Sequence, residues 1–95
     1  MSGKLPVFSS KEFIRAVKRL GFEIKKGGKG SHTRLVHTKS HIVLSVPKTN
    51  TVSVGVRHQL LKHLEKIGIS QEQFIKLLSL SLFILIRNFF KSWFS

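Results

Sequence analysis

The residues best equipped for chemistry gather in one run, Lys25-Lys26-Gly27-Gly28-Lys29-Gly30-Ser31-His32-Thr33-Arg34. Its glycines let the backbone approach a ligand closely, and its N–H groups together with Lys25, Lys26, Lys29 and Arg34 suit a phosphate. The run is not a nucleotide-binding P-loop, because no helix start follows it and the Gly-Lys-Ser/Thr ending is absent. His32 stands beside this cationic loop. An imidazole titrates near neutrality, so it can take or give a proton at a ribose 2′-hydroxyl or a leaving oxygen. Lysine and arginine can stabilise the charge that builds on phosphorus as that happens. Residue type alone also allows His32 to be an ordinary surface histidine of a strand.

Other chemistries fall away on composition and spacing. The chain has no cysteine, which removes disulfides, thiolate metal sites and thiol nucleophiles. The histidines are His32, His37, His41, His58 and His63. His32 and His37 are an odd number of residues apart, so a regular strand sends them to opposite faces. With no carboxylate nearby to complete a ligand set, neither a metal nor any other cofactor is expected. The acidic residues, Glu12, Glu23, Glu65 and Glu72, show no pairing of the kind that acid–base or two-metal chemistry needs. No serine lies at a strand-turn-helix nucleophile elbow.

The charge balance narrows the partner. Seventeen Lys and Arg against four Asp and Glu leave a net charge of +13 on 95 residues. So large an excess repels itself and serves a polyanion, here nucleic acid in preference to an anionic membrane surface. With no apolar run behind Met1-Ser2-Gly3-Lys4 and hence no secretory signal, a cytoplasmic location is the expectation.

The elements that must position the loop are legible from capping and periodicity. In Phe8-Ser9-Ser10-Lys11-Glu12-Phe13, Ser9 and Glu12 form a capping box and Phe8 with Phe13 a hydrophobic staple. Phe13, Ile14, Ala16, Val17 and Leu20 then fall on one face of a helix from about Ser10 to Leu20, closed by Gly21. Three strands follow: Phe22 to Lys25, His32 to Thr38, and His41 to Val46, where Pro47 ends the ladder. A second helix is expected from Val54 to Ile67, with Val56, Leu60, Leu61, Leu64 and Ile67 on its buried stripe. Ser70 and Gln73, flanked by Ile69 and Phe74, repeat the box and staple for a third helix.

Short turns between the strands favour an α+β domain, a three-stranded antiparallel sheet with the helices on one face, in the order αβββα. Residues 1–78 form the expected domain, and 79–95 an apolar C-terminal extension of unknown role. The uncharged run from Leu77 to Ile86 is about 15 Å long as a helix, short of a membrane span, so membrane contact by this tail is not expected.

Several of these segments occur here in the order seen in one family. Lys4-Leu5-Pro6, the Ser9–Leu20 helix ending in Leu20-Gly21-Phe22, Lys29-Gly30-Ser31-His32, the following His37, Val46-Pro47, and Leu60 through Gly68-Ile69-Ser70 with Phe74 resemble the HicA family. The resemblance spans about residues 4–78, and Gly30-Ser31-His32 after a helix–strand pair is its most specific part. It implies a double-stranded-RNA-binding-domain-like fold and a toxin that cleaves mRNA independently of the ribosome and without a metal. It also implies a catalytic histidine at His32 and neutralisation by a HicB-type antitoxin. Lys26, Lys29, Gly30, Ser31 and Arg34 are then the expected RNA contacts. The segment Thr51 to Arg57 departs from the family's Gly-Thr-Leu-Arg helix start, with Val56 in place of Leu, and Leu35 stands where an aromatic is common. The tail has no counterpart. A second class stays open: a non-catalytic basic module of the same fold that binds RNA by shape and phosphate contacts alone.

Overall fold

The computed structural model describes residues 6–26, 30–80 and 87. Their order is α1 (Ser10–Lys18), β1 (Phe22–Lys25), β2 (His32–His37), β3 (Val43–Pro47) and α2 (Val54–Glu65). A third helix, α3, covers residues 71–80. Helix α1 starts as its sequence dictates. Ser9 is extended, its hydroxyl accepts the Glu12 N–H at 3.1 Å, and the Glu12 carboxylate accepts the Ser9 N–H at 2.9 Å. The helix stops at Lys18, two residues before its apolar period runs out. The N–H groups of Arg19, Leu20 and Gly21 each donate to the carbonyl three residues back, tightening the last turn. Gly21, at φ 97°, then swings the chain into β1, a conformation that side-chain-bearing residues avoid.

The sheet has the order β1-β2-β3, antiparallel throughout. Strand β1 matches its expected bounds, and β2 ends one residue early at His37. Strand β3 begins at Val43, not at His41. The His37 carbonyl accepts the His41 N–H, the Ile42 carbonyl accepts the His37 N–H, and His41 takes the left-handed φ of 62°, so both residues belong to the turn. Alternation sends Phe22, Leu35, Leu44 and Val46 inward, where they join one core with Phe13, Ala16 and Val17 of α1, Leu60, Leu61 and Leu64 of α2, and Phe74 of α3. The helices therefore share one face of the sheet, as expected.

The staples close this core. Phe8 stacks on Phe13 with ring centroids 5.6 Å apart, and Phe74 meets both at 5.4 Å. Helix α2 terminates where Gly68 adopts φ 85° and the Leu64 carbonyl accepts the N–H groups of both Ile67 and Ile69. Ser70 and Gln73 then cap α3 reciprocally, at 2.9 and 3.2 Å. Leu77 and Leu78 pack against the core from α3. Most of the expected extension, residues 81–86 and 88–95, lies outside the described residues. No helix among the described residues is long and apolar enough to cross a membrane.

Candidate active site

Burial of Leu35 decides which side chains of β2 reach solvent. Residues an odd number away from Leu35 point to the uncovered face of the sheet, so His32 and Arg34 are both exposed there. The register sets Lys25 directly opposite Arg34, and Ser45 beyond it on β3. Like charges facing one another across a strand pair destabilise a sheet. Glu23 relieves this only slightly, since its contact with Lys25 is 3.7 Å long and both side chains are more than half exposed.

Lys25, Lys26, His32, Arg34 and Lys48 line a shallow basin of about 200 Å³, with Ile24 and Thr33 completing its wall. Lys26, His32 and Arg34, singled out in the sequence, thus come together. Gly30 and Ser31 are exposed just ahead of His32, and Lys29 lies outside the described residues with Gly27 and Gly28. The Ser31 hydroxyl is 3.0 Å from His32 Nδ1. That contact orients the ring and leaves Nε2 without an intramolecular partner among the described residues. Which atom donates depends on the tautomer, so the pair can present Nε2 either as a lone pair or as an N–H.

Lys48 and Thr33 were missed as lining residues. Lys48 follows the proline that ends β3, and only the pairing of His32 with Pro47 brings it beside the histidine. Its N–H donates to the Ser31 carbonyl at 3.0 Å, carrying the ladder one residue past the strand. The next residues are held from both sides. The Thr49 carbonyl accepts the Ser10 N–H and hydroxyl, each at 3.1 Å, and the Val52 N–H donates to Phe8. Arg57 Nη1 donates to the Val52 carbonyl at 2.6 Å, while its buried Nε has no partner among the described residues.

His37 has the opposite role from His32, on the opposite face. Its Nδ1 accepts the Ser40 N–H at 3.1 Å, so Nε2 carries the proton and donates to the Leu20 carbonyl at 3.0 Å. The ring rests on Phe22 with centroids 4.9 Å apart. Both nitrogens are consumed in tying the α1–β1 turn to the β2–β3 hairpin. Among the described residues, no group of three or more His, Asp or Glu is placed to hold a metal ion.

A basin of exposed cations around one free imidazole nitrogen can bind a phosphodiester and move a proton beside it. The family model for the HicA toxin of bacterial toxin–antitoxin systems matches residues 10–69, from the start of α1 to the residue after Gly68. No curated protein and no solved structure matches the chain.

Proposed function

The chain belongs to the HicA toxin family, whose members are generally mRNA interferases acting within toxin–antitoxin pairs, and on that premise we propose that it is a metal-independent endoribonuclease using His32. The observation that carries the reading is the isolated exposure of His32, Nδ1 engaged by Ser31 and Nε2 open to a basin lined by Lys25, Lys26, Arg34 and Lys48.

The cations bind the scissile phosphate and offset the charge that accumulates on its oxygens during attack. Lys29, in the same loop by sequence, adds to that grip. With Nδ1–H donating to Ser31, Nε2 accepts the proton of a ribose 2′-hydroxyl. The 2′-oxygen attacks the adjacent phosphorus and the bond to the 5′-oxygen breaks. One product carries a cyclic phosphate, and the other becomes a 5′-hydroxyl once its oxygen takes a proton from solvent. In the alternative tautomer Nε2–H is the acid at the leaving oxygen. Neither route draws on a metal, and a HicB-type antitoxin is the expected neutralising partner.

The test is incubation of purified protein with a defined mRNA in excess EDTA. Native protein is expected to cut the RNA and His32→Ala to lose at least about a hundredfold in rate, the usual scale of one proton-transfer group. Cleavage by His32→Ala at the native rate removes His32 from the mechanism. Tight RNA binding with no cleavage by the native protein establishes the non-catalytic module instead.

A further inference from the structure

A cleft larger than the His32 basin adjoins it and has no role in the mechanism above. It has a volume of about 510 Å³ and lies between the start of α1 and the segment after β3, with Ser10, Lys11, Ile14, Thr33, Lys48 and Asn50 among its lining residues. Thr33 and Lys48 line the basin as well, so the two spaces share a wall. Thr33 follows His32 directly, which puts their Cα atoms about 3.8 Å apart. Alternation then aims the two side chains to opposite sides of the sheet. Because His32 pairs with the last residue of β3 and Thr33 and Lys48 border both spaces, a strand held at His32 can pass round this end of the sheet and bring a neighbouring nucleotide to the cleft.

We propose that this cleft receives one unstacked nucleobase of the RNA strand beside the scissile phosphate, with the Asn50 amide reading its edge. The inference rests on the RNA-cleaving reading and adds to it a determinant of cleavage-site choice. Size and chemistry both fit. The volume falls within the range of pockets that enclose small planar ligands. Ile14 is a half-buried apolar side chain for a base to lie on, and Asn50 is exposed with no side-chain hydrogen bond among the described residues. An amide offers a donor and an acceptor side by side, the arrangement that discriminates base edges. Single-stranded RNA is read in this manner, by splayed bases hydrogen-bonded along their edges.

The wall is also preformed. Thr49 is tied to Ser10, Val52 to Phe8 and Arg57, and Lys48 to Ser31, so the segment bearing Asn50 is anchored before any ligand arrives. Lys11 at the rim offers a cation to a flanking phosphate. An unstructured or open wall would give affinity without selectivity, because ordering it would cost the binding free energy that discrimination requires.

The experiment uses the full chain carrying His32→Ala, so that no probe is cut. Fluorescence anisotropy measures its affinity for a set of short single-stranded RNAs identical except for the base on either side of one central linkage. The expected result is a preference of about fivefold or more for one base at one of the two positions, reduced to less than about twofold when Asn50→Ala is added. Equal affinity for every base, no measurable binding, or a preference that persists unchanged in Asn50→Ala each overturns the subsite. Cleavage of the same RNAs by the native chain in EDTA is scored separately, so loss of the subsite and loss of the nuclease reading are distinct outcomes.

Discussion

Replacing Arg34 by glutamine should weaken RNA binding and strengthen the fold at the same time. Arg34 and Lys25 are cross-strand neighbours on the uncovered face of the sheet. Two like charges about 6 Å apart in water repel by roughly 0.7 kcal/mol, and physiological salt roughly halves that. The partial neutralisation of Lys25 by Glu23 lowers it further. Arg34→Gln keeps most of the stem that covers the sheet, so removal of the charge should raise stability by a few tenths of a kcal/mol. Urea titration at low salt resolves the sign if the variant and native chains are melted side by side.

Binding should move the other way. Counting the four cations that line the basin alone, Lys25, Lys26, Arg34 and Lys48, with one phosphate of a single strand neutralised by each, the affinity should fall with salt at a log–log slope of about −2.8 or steeper. That is at least about 50-fold weakening between 50 and 200 mM salt. With Arg34 gone the slope on the same count becomes about −2.1 and the weakening about 18-fold. Anisotropy with a labelled RNA over that salt range measures both slopes. An unchanged slope would mean that Arg34 does not meet phosphate. A clear loss of stability would mean that the guanidinium supports the fold rather than opposing it. Either result refutes the view that this face tolerates self-repulsion in order to hold an anion.

Phe74→Ala should cost about 3–5 kcal/mol, the range for deleting a buried phenyl ring, because Phe74 packs against both Phe8 and Phe13 at 0% exposure. A thermal melt by circular dichroism checks it, and a loss under about 1 kcal/mol would show that α3 is not part of the cooperative core. Gly21→Ala should cost at least about 1–2 kcal/mol, since φ is 97° there, a backbone conformation strained for any side chain, although the new methyl would meet His37 only at ordinary contact distance. Chemical denaturation reads the loss, and nuclear magnetic resonance of the His37 ring should report disturbance of its bond to Leu20.

Much of this molecule follows from its sequence for local reasons. A capping box is a contact between residues three apart, so Ser9 with Glu12 and Ser70 with Gln73 announce α1 and α3 without reference to the rest of the chain. The same holds for the alternation that separates His32 from His37, because strand parity needs no partner strand. The first helix ends earlier than its periodicity suggests because apolar spacing reports which face is buried, whereas the terminus depends on where Gly21 reverses the chain. Strand β3 starts later than its side-chain pattern suggests for a related reason. His41 and Ile42 have strand-compatible side chains, but closing the hairpin on His37 takes them into the turn.

The site divides in the same way. The segment around His32, with Lys26, Ser31 and Arg34, is contiguous, so its composition alone marks it as a place for phosphate chemistry. Its electrostatics and its neighbours are not contiguous. Lys25 opposes Arg34 and Lys48 flanks His32 only because strand register places them so. The cleft beside α1 needs the start of a helix, one residue of β2 and the loop after β3 in a single place. Short-range interactions write helix caps and strand faces into the chain. Long-range pairing alone decides which distant cations surround one histidine, because register is settled by packing the buried faces of all three strands against the helices at once.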